Sequence, residues 1–193
     1  MSIRYEGLDP ALYPDGAIDG IPGSAVSWTA ILAGAVAAIA LTFTLVTLGS
    51  AFGLASISPW PGAGAKVSSF TIGAGMWLIV TQWLSSALGG YLAGRLRTRW
   101  VGLHSDEAFF RDTAHGLITW ALATICVAVV ALLAVSLSGA VVQPDLETTK
   151  EAADAARKAA AAFATFTGLS LVIGAFIGAV SGAIGGRLRD LHP

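Results

Sequence analysis

Residues 159–186 read AAAAFATFTGLSLVIGAFIGAVSGAIGG, 28 positions without one charged side chain. About 20 apolar residues in a helix cross the roughly 30 Å of hydrocarbon in a bilayer, so this stretch is long enough to span it. Gly174, Gly178, Gly182 and Gly186 recur every fourth position, which sets them in one row along a helix. Such a row lets a second backbone come close. That matters in lipid, where no hydrophobic effect pulls helices together and close packing must hold them. One small-xxx-small pair is common in membrane helices; four glycines in register mark a packing face.

The same reading extends outward. Residues 20–65, 67–94 and 113–144 are also free of charge, and all 11 Lys or Arg and 12 Asp or Glu residues lie outside the four windows. A soluble bundle needs a charge on its wet face every few residues. This chain is 55% hydrophobic and 12% charged, against about a quarter charged in soluble domains. The expected fold is an all-α integral membrane protein, a bundle of four transmembrane helices over 26–55, 69–94, 115–141 and 160–186. Ser56, Ser58, Pro59, Pro61, Gly62 and Gly64 make 56–68 an external turn rather than a fifth span. The N-terminal 1–25 carries Glu6, Asp9, Asp15 and Asp19 where a signal peptide would be basic. It reads as a cytoplasmic segment.

Orientation follows from the basic residues. Arg4, the loop 95–114 with Arg95, Arg97, Arg99 and Arg111, and the tail 187–193 with Arg187 and Arg189 share one side. The other side holds Lys66, Lys150, Arg157 and Lys158. Seven against four puts both termini in the cytoplasm, with Arg95, Arg97, Arg99, Arg187 and Arg189 at the membrane surface. On the far side, 142–159 is Ala-rich, with Lys150–Asp154 and Asp154–Lys158 spaced i,i+4. It is expected to be helical and continuous with the fourth span, extending that helix beyond the membrane. The competing reading breaks the helix near Lys158 and lays the segment flat.

Gly94-Arg95-Leu96-Arg97 and Gly186-Arg187-Leu188-Arg189 lie 92 positions apart, as do Trp28 and Trp120. Two tandem hairpins in the same orientation would explain this; so would a shared need for small residues and then arginines where a helix leaves the bilayer. Further packing rows are Ser85-Gly89-Ala93 beside Ser86-Gly90-Gly94, and Ala30-Gly34-Ala38-Thr42. Such rows pack the helices of one chain, or one of them faces a second copy. Trp28, Trp60, Trp100 and Trp120 suit an interfacial belt. Trp77, Gln82 and Trp83 lie deep in the second span, where the amide pairs with a neighbouring helix or, with the indoles, lines a contact for a lipid, quinone or small solute.

The chemistry of many functions is missing. No ionisable group lies inside a span, as proton- and ion-coupled transport requires. His104, His115 and His192 lack the spacing of a metal site or of haem ligation across a bilayer, and the single Cys126 packs as a small apolar residue. No catalytic, metal or cofactor residues are expected. The acids Asp106, Glu107 and Asp112 beside the arginines argue against a nucleic-acid surface.

Several ordered motifs carry a likeness: Ser27-Trp28, Leu48-Gly49-Ser50-Ala51-Phe52-Gly53-Leu54, Ser58-Pro59-Trp60, Phe70 through Trp77, Gly89-Gly90-Tyr91-Leu92-Ala93-Gly94-Arg95-Leu96 and His115 through Ala121. Over 26–141 the chain resembles small alphaproteobacterial multi-span proteins labelled "PhnA-like" membrane proteins. The resemblance implies a bacterial inner-membrane protein and no activity, since the metal-binding cysteines of the soluble namesake are absent. The expected role is a non-enzymatic structural or accessory protein that self-associates or packs against a larger complex through glycine-lined faces, with membrane lipids around it. An oligomeric channel is the alternative, and a lipid- or quinone-binding module a third.

Overall fold

The computed structural model describes residues 25–56, 67–98, 104–137 and 150–191. Each charge-free window contributes one helix: α1 (Trp28–Ser56), α2 (Val67–Leu96), α3 (Ser105–Leu137) and α4 (Lys150–Leu191). Among the described residues there is no strand. Helix α1 starts at Ser27, whose carbonyl accepts the first intrahelical bond from Ile31 N–H at 3.1 Å.

One boundary moves from the sequence expectation. The third helix begins at Ser105 rather than near 115, so most of the loop expected over 95–114 is helix. Asp106 and Glu107 in its first turn complement the positive end of the helix dipole, and Glu107 pairs with Arg111 one turn on, at 2.6 Å. On the far side, α4 is one unbroken helix of 42 residues. The charged stretch from Lys150 to Lys158 therefore continues without a break into the apolar one. Pro144, the external turn at 57–66, Trp60, Trp100 and Arg99 lie outside the described residues.

Among the described residues, three helices are long and apolar enough to cross a membrane: α1 over Trp28–Gly53, α3 and α4. Helix α2, although 30 residues long, is not among them. Its middle carries Thr81, Gln82, Ser85 and Ser86. Three of these, Thr81, Ser85 and Ser86, are buried inside the bundle, so the polar stripe faces other helices.

Contacts set the directions. Gly34 meets Gly89 and Ala93, while Gly49 meets Trp77 and Gly53 meets Phe70, so α1 and α2 are antiparallel. Asp112 lies against Gly182 and Gly186, and Gly116 against Gly178, which makes α3 and α4 antiparallel. Gly90 faces Gly178 and Gly94 faces Gly182, so α2 and α4 run parallel with a constant offset. Helices α2 and α3 each touch all three others, and α1 and α4 do not meet. The cross-section is a rhombus with α2 and α3 on its short diagonal, and the chain reverses at each turn. Ser27, Arg97, His115 and Arg189 consequently gather at one end.

Packing is uneven along the axis. Near that end the side chains are small and the backbones touch: a Cβ at Gly94 would lie 2.8 Å from Gly186 N and 2.9 Å from Gly182 C. A Cβ at Gly182 would lie 2.8 Å from Gly116 Cα. Toward the other end the helices part, and α3 is exposed on every side from Ala128 to Leu137.

Candidate functional site

Two features stand out from the packing, a buried ionic clamp at the crowded end and a lumen in the parted half. The clamp centres on Asp112, buried with 2% exposure. Arg97, just past the end of α2, donates through Nε to Asp112 Oδ1 and through Nη1 to Thr98 O at 3.1 Å. Arg189, in the last turn of α4, holds Nη2 3.6 Å from Asp112 Oδ2 and donates Nη1 to Gly94 O at 2.9 Å. It also forks onto Asp190 at 3.0 and 3.1 Å. Two guanidiniums thus share one carboxylate in a site without water access, and backbone carbonyls take up further donors. A Cβ on Gly186 would fall on the Asp112 carboxylate, so that glycine makes the room.

One turn farther along α3, His115 ties α1 to the clamp. Its Nε2 accepts from the Ser27 N–H at 2.8 Å, and its Nδ1 faces Arg111 O at 2.6 Å. A neutral imidazole protonated at Nδ1 suits both contacts. The Ser27 N–H is one that the start of a helix leaves without an intrahelical partner. His115 thus caps the start of α1, and among the described residues no group of three His, Cys, Asp or Glu could hold a metal ion.

These positions correct the expected surface arginines. Arg97 and Arg189 are buried at 3% and 9% exposure and point inward. Arg187 is exposed and Arg95 half-buried. Asp112 explains the difference, because the acid opposite them gives both guanidiniums a partner inside the bundle. Arg97 and Arg189 are also the pair 92 positions apart, and they approach the two oxygens of one carboxylate from two sides.

The glycine row of α4 from Gly174 to Gly186 is occupied within the chain. Gly174 lies against Gln82 and Trp120, Gly178 against Trp120 and Gly116, Gly182 against Gly116 and Asp112, and Gly186 against Asp112. On α2, Gly89 meets Ala38 and Gly34, while Gly90 and Gly94 meet α4.

The lumen, about 400 Å³, lies between the four helices from Gly89 and Gly90 outward to Val46, Ala131 and Phe163. No charged residue lines it, and its polar wall comprises Thr81, Gln82, Ser85, Thr119, Trp120 and Thr167 among others. The deep cluster of α2 divides here. Gln82 borders the lumen, but Trp77 donates Nε1–H to Leu45 O at 2.8 Å and packs edge-on to Phe52 with centroids 6.2 Å apart. Trp77 joins α1 to α2, and Trp83 is half-exposed on the outer face. Trp120, expected in the interfacial belt, faces inward; Gly174 and Gly178 leave space for its ring. The lumen was not readable beforehand because it depends on which face of each helix turns inward.

Compared with protein-family models, with curated proteins and with solved structures, the chain matches none.

Proposed function

We propose that this chain is a non-enzymatic accessory protein of a bacterial inner membrane, crossing it four times with both termini in the cytoplasm. It would serve as a pre-assembled module for another membrane protein or a second copy. The observation that carries the reading is α4: a single helix of 42 residues whose first 16, Lys150–Thr165, are exposed at all but three positions. A rigid, charged extension fixed to a packed bundle is suited to docking outside the bilayer. Since α2 and α3 of the same chain cover the glycine row of α4, the contact with a partner would use this extension and the outer half of α3 instead.

Four spans, rather than the three set by apolarity alone, are supported by the length of α2 and by its burial of polar groups away from lipid. The orientation rests on the basic residues at the clamp end. The resemblance to PhnA-like membrane proteins adds an expectation of location and nothing about chemistry. The close backbones at Gly90, Gly116 and Gly178 speak against a pore through one chain; an oligomeric channel, with its pore between copies, is the second reading.

A photoreactive amino acid at Ala156, crosslinked in native membranes, tests the proposal. One adduct of defined mass, with a foreign subunit or a second copy, is the expected result. Adducts with lipid alone would overturn it, and bilayer conductance above a protein-free control would favour the channel.

A further inference from the structure

The hydroxyls of this bundle fall into two groups. Exposed ones satisfy themselves on their own helix: Thr44, Thr47, Ser50, Thr113, Ser136 and Thr165 each donate to the carbonyl four residues back, at 2.8–2.9 Å. Three of the most buried do not. Thr81, Ser85 and Thr119, at 3%, 3% and 0% exposure, have no hydrogen-bond partner among the described residues. Neither do Thr167 Oγ1 and Trp120 Nε1. All five border the lumen. An unpaired buried donor or acceptor costs roughly 1–3 kcal/mol, and these five are gathered on one cavity rather than scattered through the bundle.

We propose that the lumen is a binding site for an uncharged, lipid-soluble molecule whose polar end accepts hydrogen bonds through carbonyl oxygens. The absence of any charged lining residue excludes an ionic headgroup, which would be desolvated without compensation. Trp120 Nε1–H can only donate, and Gln82 and the four unpaired hydroxyls are able to donate as well, so an acceptor on the ligand satisfies every one of them. The outer part of the wall, with Val46, Leu78, Val127, Ala131 and Phe163, is apolar and takes the hydrocarbon part. The volume falls within the roughly 300–1,000 Å³ of small-molecule sites, and the rim opens where α3 leaves its neighbours, so a chain can trail into lipid. Two sources share this chemistry: a ring ketone such as a benzoquinone, and an acyl ester of a neutral glycerolipid. The site is for binding; no electron transfer is implied.

The test uses the full chain in lipid nanodiscs, titrated with decylubiquinone while tryptophan fluorescence is followed, and with dioctanoylglycerol as competitor and, separately, by calorimetry. Saturable quenching that resists the competitor identifies the quinone arm; displacement, or saturable heat with the glycerolipid, identifies the ester arm. Thr81→Val and Thr119→Val keep shape and remove one donor each, and each is expected to weaken binding about five-fold. Ser85→Leu, which fills the lumen, is expected to abolish it. If Ser85→Leu does not fold, the two valine variants decide alone. No saturable response to either probe, or binding unchanged in both valine variants, overturns the proposal.

Discussion

Placing alanine at Gly94 tests the packing at its most demanding point. The new methyl would lie 2.8 Å from Gly186 N and 2.9 Å from Gly182 C, and closer still to Gly182 O. Ordinary carbon contacts sit near 3.5–4.0 Å, and all three neighbours are backbone, which no rotamer change can move. Helices α2 and α4 would have to separate by about 1 Å along their shared face, giving up dispersion contacts and pulling Arg189 Nη1 from Gly94 O. Overpacking of this kind costs about 1–3 kcal/mol. Alanine's better helix propensity offsets up to about 1 kcal/mol, so the net effect is a loss. Gly168→Ala on α4 and Gly73→Ala on α2 meet nothing within 4 Å and keep only the propensity gain. Unfolding in dodecyl maltoside, followed by size-exclusion chromatography after heating, should show Gly94→Ala melting several degrees below wild type. The two controls should melt at or above it. Equal shifts for Gly94→Ala and Gly168→Ala would refute the close-packed α2–α4 contact.

Other outcomes follow from the same contacts. Asp112→Ala removes the carboxylate shared by two buried guanidiniums, Arg189 keeping Asp190 and Gly94 O, and should cost up to about 3–5 kcal/mol; adding Arg97→Met should recover part of the loss, measured in the same thermal assay. Arg157→Ala breaks an exposed pair with Asp154, 3.2 Å long, and should shift stability by less than about 1 kcal/mol. His115→Ala removes the acceptor of Ser27 N–H, so deuterium uptake in residues 26–31 should rise while uptake near Leu171 stays unchanged. Trp77→Phe deletes the bond to Leu45 O and should cost about 0.5–1.5 kcal/mol; a melting point equal to wild type would remove Trp77 from the α1–α2 contact.

What could be read in advance followed from composition and period. Charge-free windows located all four helices, because desolvating a charge in hydrocarbon is costly enough to exclude it from a span. The alanine-rich, i,i+4-paired stretch after Lys150 was legible as a continuation of α4 for the same local reason. Two things were not. Asp112, Arg97 and Arg189 look like ordinary loop charges until three helix ends bring them together. Which glycines face which backbone also depends on helix rotation, a property of the assembled bundle. The unpartnered Thr119 and Trp120 belong to the same class, since period alone places them on a helix but not toward a lumen.

The length of α4 has a mechanical consequence. From Gly178, whose carbonyl both Gly90 of α2 and Gly116 of α3 approach, the helix runs about 42 Å to Lys150 and about 20 Å to Leu191, at 1.5 Å per residue. Gly178 is thus a fulcrum, with unequal arms in a ratio of about two to one. A tilt that moves the far tip by 2 Å shifts Arg189 by about 1 Å, enough to lengthen its contacts with Gly94 and Asp112. The clamp then resists any tilt imposed on the long arm.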